Sequence, residues 1–177
     1  MPKPESVFTS AVHRLLPKEV YREKMANPYR GGTPDMWYSG DGSDLWVEYK
    51  YLPRIRKRGV VDAKKLLTAL QAQWLRDRFT EGRHVAVIVG CPVGGVILPR
   101  LSWDEPLTVS LFLNLIRSRP DVAQWIATAT LGRSNVGTPP SSRSTTAVRN
   151  TQNSFRSNSP GATDARPAKT RAERDAP

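Results

Sequence analysis

The chain has 177 residues, of which 38% are hydrophobic and 24% charged, enough for one domain of ordinary size. A formal net charge of +11 points to a polyanionic partner, most simply nucleic acid, although an anionic membrane surface also fits. One cysteine, Cys91, excludes an intrachain disulfide and, with only His13 and His84 beside it, is too sparse a set for a zinc site; the lack of a long apolar run argues against a signal peptide or membrane span, so a soluble, cytoplasmic protein is expected.

Val7, Phe8, Ala11, Val12, Leu15 and Leu16 recur at helical spacing between Ser6 and Leu16, and Pro17 stops the pattern. Val20 to Met25 alternates loosely as a short strand. Asn27-Pro28 and Gly31-Gly32 then break the chain into a loop that delivers Thr33-Pro34-Asp35. Met36-Trp37-Tyr38 predicts a second strand, Ser39 to Ser43 a hairpin turn, and Leu45 to Leu52 a third strand ended by Pro53. From Asp62 to Phe79 the apolar residues keep a helical period, with Asp62 as N-cap and Gly82 just past the end. Val85 to Val89 suits a strand buried on both faces, and Gly94-Gly95 separates it from Val96-Ile97-Leu98 in a closing hairpin. Cys91 fits a small buried position at the strand end. Leu107 to Ile116 and Val122 to Leu131 read as helices interrupted at Ser118-Arg119-Pro120. The order predicts a single α/β domain over residues 1–132.

From residue 133 to 177 the large apolar residues almost vanish, so burial cannot offset ordering entropy and a disordered basic Ser/Thr/Pro/Arg-rich tail is expected. It holds eight Lys/Arg against three Asp/Glu, leaving nineteen against thirteen in residues 1–132. A solubilising extension and a DNA-gripping arm both fit it.

Gly31-Gly32-Thr33-Pro34-Asp35 is followed, thirteen residues after the Asp, by Glu48-Tyr49-Lys50. Residues two apart in a strand share a face, so Glu48 and Lys50 point one way and Tyr49 the other. The hairpin can bring Asp35 alongside. Two carboxylates then offer hard oxygen ligands to Mg²⁺, for which Mn²⁺ can substitute. The metal would acidify a water and neutralise charge on phosphate. Lys50 would orient that water or stabilise the transition state, worth about 3 to 4 kcal/mol if it acts like other preorganised donors. Plainer readings exist: Glu48 and Lys50 as the polar face of an edge strand, Asp35 as the cap of a turn.

These motifs resemble the PD-(D/E)XK nuclease superfamily, written here as Pro34-Asp35 and Glu48-Tyr49-Lys50. Gly32-Thr33-Pro34-Asp35 before the strand pair and Leu70-Gln71-x-x-Trp74-Leu75 on the following helix look most like its VRR-NUC and Holliday-junction-resolvase-like branch. The resemblance spans roughly residues 5 to 98. It implies a restriction-endonuclease-like core, a mixed β-sheet flanked by helices. It also implies Gln71 as a helix glutamine facing the site, the backbone carbonyl of Tyr49 as a metal ligand, and an acidic residue on the first helix as a third carboxylate. Glu5 occupies a suitable place, although the helix dipole favours an acidic first turn whatever the function. Glu19 and Glu23 are the fallback ligands. Gln71 has no case apart from the resemblance, and Trp74 reads as core rather than as a platform for a base.

Arg54, Arg56, Lys57 and Arg58 follow the third strand directly, and Lys64 and Lys65 come soon after. Such cations bind phosphates without reading sequence, and packed like charges repel unless an anion joins them. Other catalytic classes find little support, since there is no P-loop, no G-x-G-x-x-G opening a helix, and no serine in a nucleophile elbow. The expected function is that of a Mg²⁺-dependent endonuclease hydrolysing DNA, with a branched or junction substrate in phage or bacterial replication, recombination or repair suggested by the resemblance. A homodimer would suit paired cuts. The rival is a non-catalytic nucleic-acid-binding protein.

Overall fold

The computed structural model describes residues 2–25 and 31–132. The tail expected over residues 133–177 lies outside the described residues, as does the Asn27-Pro28 break.

Helix α1 spans Pro4–His13, with proline in its first turn, where a missing N–H costs nothing. Strands β1 (Tyr21–Lys24), β2 (Met36–Ser39) and β3 (Asp44–Tyr51) form an antiparallel meander. A two-residue strand β4 (Val60–Val61) and a 3₁₀ turn over Lys64–Leu66 lead to α2 (Ala69–Thr80). Strand β5 (Val85–Cys91) returns parallel to β3, and β6 (Gly94–Pro99) pairs back onto β5. Then follow β7 (Leu107–Thr108), which pairs with β4, and helices α3 (Val109–Asn114) and α4 (Arg119–Leu131). The main sheet has the order β1-β2-β3-β5-β6. It is a mixed sheet flanked by helices, as expected.

Its two faces are covered by different helices. Phe8 and Val12 of α1, with Val122, Ala123, Ile126 and Ala127 of α4, pack against Tyr38, Val47, Tyr49 and Ile88. On the other face Ala72 and Leu75 of α2, Trp103 and Phe112 pack against Val85, Val87, Val89 and Val96. All seven residues of β5 are buried, which is why its sequence is continuously apolar rather than alternating. Cys91 is buried at its end. Among the described residues no helix is long and apolar enough to cross a membrane.

Several boundaries differ from the sequence expectation: α1 ends at His13 rather than Leu16, and Leu107–Thr108 is strand β7 rather than the start of a helix. The helix expected over Asp62 to Phe79 is two elements, because Leu67 is extended (φ −92°, ψ 147°) and Thr68 starts α2. The Thr68 hydroxyl accepts from the Gln71 N–H at 3.2 Å, and the Gln71 side-chain oxygen accepts from the Thr68 N–H at 2.9 Å. That capping box outcompetes the continuous period, and Asp62 instead accepts from the Lys65 N–H at the 3₁₀ turn. Ser118-Arg119-Pro120 does not interrupt helices but begins one: Ser118 caps α4 and Asp121 completes its capping box. Gly94 and Gly95 lie within β6, so the turn falls at Pro92-Val93. Gly94 is there because a Cβ would fall 2.2 Å from the Arg117 carbonyl.

Candidate active site

The antiparallel ladder between β2 and β3 runs from Ser39 opposite Asp44 to Met36 opposite Val47 and stops. β3 continues to Tyr51, still paired with β5. Beyond Val47 the β2 side of β3 is therefore released from the ladder, and Asp35 fills the split. Its Oδ2 accepts from the Tyr49 N–H at 2.9 Å, and its own N–H donates to Glu48 Oε2 at 3.3 Å. On a strand a residue's N–H and C=O face the same neighbour, so the Tyr49 carbonyl is directed to the side where Asp35 stands. Gly32 makes this approach possible. Its φ is +93°, and a Cβ there would lie 2.6 Å from the Leu70 carbonyl oxygen, so only glycine lets the loop before Asp35 lie against the start of α2.

Glu48 and Lys50 share the face covered by α2. Lys50 Nζ lies 2.7 Å from Glu48 Oε1, and Gln71 Nε2 donates to the same oxygen at 2.5 Å. The capping box fixes which end of the Gln71 amide faces Glu48. Its oxygen is used by the Thr68 N–H, which leaves its nitrogen to donate. Glu48 is fully buried. Burial and the nearby Asp35 raise its pKa to about 7, against the opposing pull of Lys50 and the Asp35 N–H. The expected strand pair and Gln71 are thus brought together, and Glu48 is not the exposed polar residue of an edge strand.

Glu5, on the first turn of α1, lies on the other side of Asp35. The two line a pocket of about 260 Å³ together with Ser6, His13, Arg22 and Lys24. Partial burial first, then Asp35, raises the Glu5 pKa, while Lys50 lowers it, which places Glu5 within electrostatic reach of both. The fallback residues stand apart. Glu19 is exposed before β1, and Glu23 is exposed on β1, where it accepts from the Tyr21 hydroxyl at 3.1 Å. Among the described residues no three His, Cys, Asp or Glu side chains are grouped closely enough to hold one ion. The donor set that fits a divalent cation is Asp35, Glu48 and the Tyr49 carbonyl, of which the half-buried Asp35 lines the pocket. Mg²⁺ favours such a site, with one or two carboxylates and the rest solvent or substrate.

The basic residues divide. Arg54, Arg56, Lys57 and Arg58 are exposed on the loop that leaves β3. Lys64 instead pairs with Asp104 at 2.8 Å and Lys65 with Asp62 at 3.4 Å, so their charge is shared with carboxylates. Arg76 also binds Asp104, through contacts of 2.8 to 3.2 Å. Trp74 is half-buried with its ring 5.2 Å from that of Trp46, which makes it part of the packed face, as expected.

Three residues that matter to this arrangement were not anticipated. Thr68 carried a local signal, a T-x-x-Q capping pattern. His13 and Tyr38 carried none, because the contact that joins them to Tyr49 spans three elements.

No protein-family model matches the chain, and no curated protein sequence does. Among solved structures the chain is similar to Hjc, a Holliday junction resolvase from the archaeal hyperthermophile Archaeoglobus fulgidus. The two share 15% identity, with a TM-score of 0.43, over 67% of this chain and 96% of that chain.

Proposed function

We propose that this chain is a divalent-metal-dependent endonuclease of the PD-(D/E)XK type that hydrolyses DNA phosphodiesters. The observation that carries the reading is the split between β2 and β3. There a half-buried Asp35 and a fully buried Glu48 are held together by reciprocal backbone contacts, with Lys50 and Gln71 both on Glu48. A merely structural carboxylate gains nothing from burial that, together with a second carboxylate beside it, pushes its pKa towards neutrality.

Asp35, Glu48 and the Tyr49 carbonyl would hold Mg²⁺ or Mn²⁺, and Glu5 would stand beside Asp35 as a further carboxylate outside that donor set. Once bound, the ion would acidify a water and offset the charge that grows on the phosphate. This chain's residues do the rest. The paired backbone contacts keep the two carboxylates at fixed separation, so no reorganisation is needed as charge develops. Gln71 and Lys50 each donate to Glu48 Oε1 and favour its charged form. With a cation to share Glu48, Lys50 becomes available to the attacking water or a phosphate oxygen. Arg54, Arg56, Lys57 and Arg58 would hold the DNA backbone next to the site, a contact that weakens steeply with salt. Lys64 and Lys65 would contribute less because each already has a carboxylate. The VRR-NUC or junction-resolvase branch, a branched substrate in phage or bacterial DNA metabolism, a homodimer making paired cuts and a cytoplasmic location extend this reading from the motif resemblance.

The test is to incubate supercoiled plasmid and a branched DNA with Mg²⁺ or Mn²⁺ and compare wild type with Glu48→Ala and Lys50→Ala. Metal-dependent cutting by wild type and its loss in both variants is expected. Cutting retained in both variants removes the proposed site. DNA binding without cutting by wild type on either substrate favours a non-catalytic binding protein.

A further inference from the structure

On the side of β3 opposite Glu48, three side chains from three elements form one chain of hydrogen bonds. His13 Nε2, at the end of α1, lies 2.7 Å from the Tyr38 hydroxyl on β2, and that hydroxyl lies 2.8 Å from the Tyr49 hydroxyl on β3. Both tyrosines are buried, at 0% and 1% exposure, and the His13 ring packs edge-on against each, 5.7 Å and 6.4 Å between centroids. Burial, and then Arg22, lower the His13 pKa to about 4, so the imidazole is neutral at neutral pH. A neutral Nε2 accepting from Tyr38, whose oxygen accepts in turn from Tyr49, uses each hydroxyl proton once.

The packing around these residues does not require this polarity. Phenylalanine would fill the same volume against Phe8 and Val12 without desolvating a hydroxyl. What the hydroxyls add is registration. An apolar contact lets a helix slide or turn by small amounts, whereas a directional bond to its last residue fixes its position along and around its axis. Glu5 lies eight residues before His13 on the same helix, about 12 Å along the axis at 1.5 Å per residue. Tyr49, at the other end of the chain, sits between Glu48 and Lys50, and its N–H holds the Asp35 carboxylate. Tyr38 is on the strand that begins directly after Asp35. The three linked side chains therefore come from α1, which carries Glu5, from β2, which begins directly after Asp35, and from β3, which carries Glu48.

We propose that His13 and Tyr38 are positioning residues of the carboxylate site: through Tyr49 they lock α1 to the sheet so that Glu5 is held beside Asp35, and they thereby set the affinity for a divalent cation. This rests on the metal-dependent reading above.

The test is calorimetric titration of Mn²⁺ into the metal-free full chain. Wild type is compared with Tyr38→Phe, Glu5→Gln, the double variant and Glu48→Gln, with circular dichroism and thermal unfolding to verify that each is folded. Tyr38→Phe and Glu5→Gln are each expected to weaken binding roughly tenfold, as for other residues that orient metal ligands. The double variant is expected to bind no more weakly than Glu5→Gln alone, because both changes remove the same contact. His13→Ala, which alters only the half-exposed end of the chain, should reproduce Tyr38→Phe and serves if that variant does not fold. A lowered unfolding temperature with unchanged Mn²⁺ affinity, or a double variant weakened by the product of the single effects, overturns the proposal. If Glu48→Gln binds Mn²⁺ as wild type does, the metal site itself is wrong and the positioning role falls with it. Binding that needs Glu48 but ignores both Tyr38→Phe and His13→Ala removes the positioning role alone.

Discussion

Glu48 is pulled in two directions, and its titration is where the chemistry of the site meets the stability of the fold. Burial and Asp35 disfavour its charge, Lys50 and the Asp35 N–H favour it, and the balance lies at about 7 against 4.5 for an ordinary glutamate. The folded state therefore binds the proton more tightly than the unfolded state. Stability from this group is complete below about pH 4.5 and is lost as pH rises through about 7. The displacement corresponds to at most about 3 kcal/mol. Urea unfolding of the metal-free protein at pH 5 and pH 8 should show wild type losing ground to Glu48→Gln as pH rises, and a saturating divalent cation should reverse that loss. A difference between the two proteins that does not change with pH would show that Glu48 titrates normally. The sequence disclosed the shared face of Glu48 and Lys50, because a strand period of two is local. It did not disclose the depth of burial, which comes from α2 lying over the sheet, nor the tie between Tyr49 and Asp35, which arises only because β2 stops pairing at Met36.

The boundary of α2 matters to the site as much as the residues it carries. Thr68 and Gln71 cap each other, and that exchange leaves the Gln71 nitrogen turned to Glu48. Thr68→Ala should cost about 1 kcal/mol, the usual effect of losing a cap. It should also lower the cleavage rate, because the amide is freed to rotate, whereas Thr68→Ser should retain both stability and rate. Parallel unfolding and single-turnover cleavage measurements check the two parts, and a stability loss with unchanged cleavage would show that the cap does not orient Gln71. Gly32→Ala tests the preceding loop. With φ at +93° and a Cβ 2.6 Å from the Leu70 carbonyl, it should destabilise by roughly 1 to 3 kcal/mol. The long period from Asp62 to Phe79 suggested one helix because Ala63, Leu66 and Leu67 suit a helical face. A 3₁₀ turn meets the same burial requirement in a shorter span, and the capping box three residues upstream of Gln71 was the competing signal.

At the scale of the molecule, the last turn of α4 secures the hairpin on which the site depends. The N–H groups of Gly42 and Ser43 both donate to the Thr130 carbonyl at 2.9 Å. A Cβ at Gly40 would meet Leu131 at 2.6 Å, and one at Gly42 would meet the Gly132 nitrogen at 2.6 Å. The β2–β3 turn is thus clamped by residues 130–132, and the turn sets the register that places Asp35 beside Tyr49. Ending the chain after Gly132 should leave a domain that unfolds cooperatively and keeps the loop cations Arg54 to Arg58, so that its DNA binding still falls steeply with salt. Ending it after Ala127 removes the Thr130 carbonyl and the packing of Leu131, and should lower the unfolding temperature by roughly 5 °C or more for a domain of this size. Thermal unfolding of both truncations separates the alternatives. Loss of cooperativity in the longer one would mean that residues beyond Gly132 pack against the domain, and equal stability of the two would mean that the α4 clamp does not hold the hairpin.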